Sequence, residues 1–262
     1  DPLGLPETTS PRVMAFHELF TQGGMLLYHL PDALVTRMPS WGVVILPLLF
    51  QYGNSPRMVQ TWFVFGWMFS SFSQSLGRKL ADYAEDLNQR IGRPEGQAAI
   101  AWSKFHFVEP NYIAMRSCLE PMKRGLLQGQ QFGDLDAIAR NAMCWSFTAL
   151  AAGESLPSFA SQIREYILVV EKAHQTGVAL QLRIFGQFAD NCSDASFEKS
   201  GFDGEVLPEN VIEKASENDV TFRFFLDFST MWQQFLSGDI SEALHASYEA
   251  GKRASAGIGN AL

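Results

Sequence analysis

A chain of 262 residues that is 47% hydrophobic and 18% charged has enough apolar side chains to bury a large core, which excludes an intrinsically disordered polymer. Its formal net charge of −8 repels a phosphate backbone or an anionic bilayer on average, so nucleic acid is not an expected partner. The three cysteines, Cys118, Cys144 and Cys192, are far apart and odd in number, which fits buried thiols in a reducing, cytoplasmic setting better than a disulfide framework.

Residues 1–9 hold Pro2 and Pro6 and no apolar periodicity, which predicts a linker or incoming loop. The start at Asp1 rather than Met, without a signal peptide, suggests a piece of something longer. Ser10 before Pro11 is a helix start, and Phe16, Leu19 and Phe20 continue that helix to an expected stop at Gly23-Gly24. Pro31 and Pro39 open two shorter helices, 31–37 and 39–52. The most apolar run, 41–50, is about half the ~20 residues that cross a bilayer and contains Pro47, so it predicts a buried helix rather than a membrane span. Residues 1–55 therefore form a group of N-terminal helices that lies ahead of a longer array at 56–262.

The array has a repeating grammar. Gly53 ends one helix, Asn54 or Ser55 caps the next and Pro56 begins it. The helix at 59–72 is apolar on nearly every side. Its amphipathic partner at 76–91 carries the stripe Leu80, Tyr83, Ala84, Leu87 and Ile91. Next, 97–108 pairs with 112–127 across Glu109-Pro110. The helix at 136–152, with Asp134 placed to cap it, pairs with 158–174 across Gly153 and Pro157. The helix at 178–191 finds its partner at 208–217 only after a long loop, 192–207.

The last hairpin is the clearest. Phe224, Phe225, Phe228, Met231, Trp232 and Phe235 share a face that should be buried. Gly238 stops the helix, Asp239 caps the next, and Ala243, Ala246 and Ala250 form a small-residue stripe. Hairpin onsets near Pro56, Gln97, Ala137, Val178 and Phe222 recur at roughly forty residues, a period expected of helix-pair repeats. The predicted fold is all-α, a right-handed α-solenoid of antiparallel helix pairs.

Chemistry is sparse. No phosphate-binding Gly-Lys-Ser/Thr string and no His-Glu-x-x-His spacing occurs, and His17, His29, His106, His174 and His245 are scattered singly. Asp227 with Asp239, or Glu165 with Glu171, are conceivable acid/base pairs, but carboxylates on amphipathic helices are mostly solvated. No catalytic, metal or cofactor-binding residue is expected. The aromatic residues remain: Trp62, Trp67, Trp102, Trp145 and Trp232 on the first helices of hairpins, and Phe197 and Phe202 in the long loop, are the candidate partner or ligand surface. The competing reading makes the tryptophans interlocked core and the loop a cover for a helix end.

Three stretches carry a family resemblance: Glu7-Thr8-Thr9-Ser10-Pro11-Arg12-Val13-Met14-Ala15, then Tyr52-Gly53-Asn54-Ser55-Pro56 with the aromatic helix around Gly66, and finally Phe235-Leu236-Ser237-Gly238-Asp239 with Glu242-Ala243-Leu244. Together they resemble the tetratricopeptide-like helical domain of large multidomain signalling proteins, over nearly the whole chain and including the loop around Phe202. In those proteins the domain follows a serine/threonine-kinase-like module and an AAA-type ATPase module, and precedes a GAF domain and a histidine kinase or similar output. The resemblance implies a non-catalytic connector whose partners are neighbouring modules of the same chain or a protein or peptide. Its enzymes' catalytic residues lie in modules absent from this sequence. The alternatives are a helical domain that senses a small apolar molecule, suggested by the Phe- and Trp-rich helices and nine Met, and a standalone peptide-binding adaptor.

Overall fold

The computed structural model describes residues 5–28, 38–55, 58–70, 72–92, 94, 96–193, 201–202 and 204–253, with the backbone alone at 22–28, 38–43 and 218. Among them the chain is all-helical, with twelve α-helices and a short 3-10 turn. The contacts divide it into two compact units, Asp1–Ala137 and Ile138–Leu262.

The first unit holds α1 (Pro11–Tyr28), α2 (Met38–Tyr52), α3 (Val59–Ser70), α4 (Gln74–Ile91), α5 (Gly96–Phe107), the 3-10 turn Glu109–Asn111 and α6 (Met115–Phe132). α1 starts at Pro11 as expected but does not stop at Gly23-Gly24. A glycine inside a helix costs only about 1 kcal/mol relative to alanine, which docking can outweigh. Here His17 and Thr21 anchor the helix by hydrogen bonds to Ser55 at 2.9 Å and Thr61 at 2.8 Å. The expected helix at 31–37 lies outside the described residues.

The Tyr52-Gly53-Asn54-Ser55 turn is the staple of this unit. Gly53 has φ +83°, and a Cβ there would sit 2.2 Å from the Pro6 carbonyl oxygen, so only glycine fits. Asn54 N–H donates to that carbonyl at 2.9 Å and its own carbonyl accepts from Thr8 N–H at 2.7 Å, tying the N-terminal segment down. Its side chain accepts from the Trp62 indole N–H at 3.0 Å and donates to the Tyr83 hydroxyl. The Trp62 and Tyr83 rings meet edge to face at 4.9 Å between centroids.

α3 packs on α4 and α5 with Trp62, Phe63 and Phe65 buried. Its meeting with α4 is almost backbone to backbone. A Cβ on Gly66 would lie 3.0 Å from the Ala81 nitrogen, and one on Gly77 would lie 2.6 Å from the Gly66 carbonyl oxygen. This close approach rolls α4 onto Gly77, Ala81 and Ala84, leaving Leu80 and Ile91 of the expected stripe only half-buried. Lys104 of α5 is buried against the same bundle, with Nζ 2.7 Å from Asp82 Oδ1, 2.7 Å from Glu85 Oε2 and 3.8 Å from the buried Glu109. Arg78 adds a contact to Glu109 at 3.5 Å and covers the Tyr112 ring. Burial works to lower the Lys104 pKa, but the bonds and charges of Asp82 and Glu85 outweigh it and hold the amine above the usual lysine value. α6 runs through Gly129 and ends only at Gly133, which adopts the left-handed cap at φ +71°.

The second unit holds most of α7 (Leu135–Ala151), then α8 (Leu156–Lys172), α9 (Thr176–Ser193), α10 (Glu209–Asn218), α11 (Val220–Ser237) and α12 (Ile240–Lys252). Asp134 caps α7 as expected, accepting from Ala137 N–H at 2.9 Å. α9 is the centre: it packs against α8 and α11 rather than against its expected partner at 208–217, which is α10 and packs on α11, and Leu182, Ile184 and Phe185 are buried. The described end of the long loop lies along it. Gln187 Oε1 accepts from Val206 and Leu207 N–H, both at 3.3 Å, and Asn191 donates to the Gly201 carbonyl at 3.0 Å and to Gln233 of α11 at 2.9 Å.

Gly238, at φ +85°, and Asp239, accepting from Glu242 N–H at 3.1 Å, make the expected turn between α11 and α12. The alanine stripe of α12, Ala243, Ala246 and Ala250, is buried. The aromatic face of α11 is not wholly covered: Phe225 is buried, whereas Trp232 and Phe235 are exposed. The buried stripe of α11 is Phe222, Phe225, Ser229 and Gln233, the last bonded to Asn191 of α9, so the end of the aromatic face is rolled out of that contact and stays open.

Candidate functional site: an apolar cleft in the second unit

The open turns of α11 form one wall of a cleft of about 410 Å³. The end of α7 supplies Phe147 and Leu150, α9 supplies Phe185 and Phe188, and α11 supplies Phe228, Ser229, Trp232 and Leu236. The α7–α8 connection closes the circuit with Gly153, Glu154 and Leu156.

Its closed end is built from rings. Phe147, Phe185 and Phe225 come from three different helices and meet at centroid distances of 4.8, 5.4 and 5.9 Å. Phe185 is almost wholly buried and Phe147 half-buried. On the α11 side the lining rings Phe228 and Trp232 are 6.3 Å apart between centroids, and Phe228 in turn stacks on Phe224 at 6.1 Å. Trp232, 48% exposed, and Leu236, 53% exposed, stand at the rim. Gly153, in the left-handed region at φ +69°, ends α7 and turns the chain so that Glu154 and Leu156 join the lining. Glu154 is the one ionisable side chain among the lining residues, and the buried Ser229 is the one hydroxyl.

The aromatic candidates separate by place. Trp62, Trp102 and Trp145 are buried, at 1%, 6% and 4% exposure, and present no surface for a partner. Trp62 belongs to the Asn54 staple, Trp102 meets Phe107 edge to face, and Trp145 packs on Phe159 and Tyr166. Trp67 is half-buried, with its ring 4.7 Å from that of Phe107. Phe202 is buried in the loop, and Phe197 lies outside the described residues. Trp232 alone of the described candidates lines the cleft.

Phe147, Phe188 and Glu154 were not singled out from sequence. The signal available was the phenylalanine near the end of α7 just ahead of the Gly153–Pro157 break, which places a ring and a carboxylate at one end of a helix pair.

The carboxylates considered for acid/base work are each occupied. Asp227 bonds Arg253 at 2.7 Å, Asp239 caps α12, Glu165 accepts from Gln162 at 2.8 Å, and Glu171 pairs with Arg183 at 2.6 Å. Burial pushes all three thiols up, to about 11 for Cys118, 12 for Cys144 and 11 for Cys192, so they remain protonated and poorly nucleophilic at neutral pH. No group of three or more His, Cys, Asp or Glu that could hold a metal occurs among the described residues, and none of their helices is long and apolar enough to cross a membrane.

Comparison with protein-family models, with curated proteins and with solved structures returned no match.

Proposed function

We propose that the chain is a non-catalytic helical-repeat connector: a right-handed solenoid of antiparallel helix pairs that couples an ATPase module to a sensor or kinase output module of a cytoplasmic signalling protein. The observation that supports this reading is the packing of helices on their neighbours in chain order, α3 on α4, α5 on α6, α8 on α9 and α11 on α12. That pattern is what stacked helix pairs require. The roughly forty-residue period and the tetratricopeptide-like motifs of the sequence support the same reading, α8 on α9 being a contact between two of the expected hairpins, and the carboxylates that might have served catalysis are engaged by a cap, ion pairs and the Gln162 side chain. The test is to incubate the purified chain with ATP and a protein acceptor while its shape is measured by X-ray scattering. An extended, curved particle without turnover is expected. Turnover that disappears on changing one residue of this chain would overturn the proposal.

A second reading, a domain that senses a small apolar molecule, is favoured by one observation: the cleft lined by Phe147, Phe185, Phe188, Phe228 and Trp232. Its volume lies within the ~300–1,000 Å³ of small-molecule sites. The two readings are compatible, since a ligand between α7, α9 and α11 would bias the packing that a connector transmits.

A further inference from the structure

We propose that the outer face of α12 is a dimer interface, which receives the same face of a second copy of this chain in an antiparallel pair of helices. The proposal is independent of the cleft and goes beyond the connector reading.

α12 rests on α11, and its buried stripe is Ala243, Ala246 and Ala250. At 3.6 residues per turn, Ile240, Leu244 and Tyr248 make a second stripe about 130° around the helix from the first. They are 50%, 67% and 66% exposed. A surface helix ordinarily turns charge outward, but here the exposed Ser241, Ser247 and Gly251 flank the apolar stripe, and Glu242, His245, Glu249 and Lys252 fall on the remaining arc. Lys252 marks the border, with its amine paired to Glu249 at 2.5 Å and lying 4.3 Å from the centre of the Tyr248 ring.

Two observations name a second copy as the occupant. The first is charge: a chain of net charge −8 repels its own copy, so two copies meet most readily where neither presents an ionisable group, and this arc presents none. The second is area. The exposed surface of the arc is on the order of 600 Å², or roughly 1,200 Å² over two copies, which reaches the lower end of stable interfaces. A two-fold pair needs a face complementary to itself. An antiparallel crossing centred on Leu244 sets that residue against its own copy and Ile240 of each chain against Tyr248 of the other, while Ser247 and Gly251 let the helices approach. The antiparallel sense also separates the two Lys252 amines and turns each toward the Asp239 end of the other helix.

Sedimentation equilibrium of the full chain between 1 and 100 μM tests this. The expected mass is that of two copies at the upper concentrations, falling toward one on dilution. Leu244→Asp places a carboxylate on the two-fold axis at an exposed position and should weaken association at least tenfold with an unchanged circular dichroism spectrum. Leu168→Asp, an equivalent change at a leucine of α8 that is 59% exposed, should leave the dimer intact. Leu244→Cys should cross-link to its own copy under mild oxidation, above the level of the parent chain with its three native cysteines. A chain that stays monomeric at 100 μM overturns the proposal, as does a mass that grows past two copies. A dimer that survives Leu244→Asp, or one that Leu168→Asp breaks equally, overturns the assigned face, and failure of Leu244→Cys to cross-link overturns the antiparallel pairing.

Discussion

Asn54 holds Trp62 and Tyr83 at once: one end of its amide accepts from the indole N–H at 3.0 Å and the other donates to the phenol oxygen. All three residues are buried, so neither ring's polar atom has water as an alternative partner.

Asn54→Ala should therefore cost more than one hydrogen bond. It leaves two buried polar groups unsatisfied at about 1–3 kcal/mol each, giving roughly 2–6 kcal/mol in total. Urea unfolding of the variant should show a lower midpoint with an unchanged slope. A loss below about 1 kcal/mol would mean that the side chain is replaceable.

Gly53 and Gly238 both sit in the left-handed region, at φ +83° and +85°, but only Gly53 is crowded. Gly238→Ala should cost about 1–2 kcal/mol from backbone strain alone. Gly53→Ala adds a clash with the Pro6 carbonyl, so it should cost more and should release residues 5–10 to limited proteolysis. Equal losses, or an N-terminal segment still protected in Gly53→Ala, would contradict the staple.

Lys104→Met removes the cation between Asp82, Glu85 and the buried Glu109. Removing one partner of a buried pair costs about 3–5 kcal/mol, and the lower end is expected here because Asp82 and Glu85 reach water. The folded lysine pKa is raised, so its contribution is complete below the ordinary value of ~10.4 and is lost as pH rises through the higher folded value. Thermal unfolding of the parent should thus lose stability above about pH 10.5, and Lys104→Met should lose less over the same interval.

Acid should act through histidine before it acts through carboxylates. His17 is wholly buried on Ser55, and burial lowers its pKa; His106 is lowered by the same cause to about 4. Below the ordinary value near 6.5, an unfolded chain takes up protons that the folded chain refuses, so stability should fall as pH drops from about 7 to 5. His17→Gln can keep a bond to Ser55 while removing one titration, and should flatten that fall. An unchanged slope in the His17→Gln, His106→Gln double variant would assign the acid sensitivity elsewhere.

Much of the helix pattern was legible because its signals are local. Ser10-Pro11, Asp134, Gly153 and Gly238-Asp239 act on their own few residues, so boundaries there needed no knowledge of distant contacts. Gly23-Gly24 misled for the complementary reason: the preference against glycine is about 1 kcal/mol per residue, and the docking of His17 and Thr21 comes from residues thirty-eight and forty positions away. The α4 stripe held at Tyr83, Ala84 and Leu87 and failed at Leu80 and Ile91, since the roll of the helix depends on how closely Gly77 approaches Gly66.

The sequence by itself determined that the chain is helical and where most of its helices begin and end. Only the tertiary structure decided which of its aromatic side chains are covered and which line the cleft. Trp62, Trp102 and Trp145 share the first-helix position and the apolar character of Trp232, and periodicity cannot separate them. The difference lies in what packs opposite each ring, and that depends on residues far away in the chain. For Trp232 the facing helices α7 and α9 stop short of filling the space, and the gap they leave is the cleft.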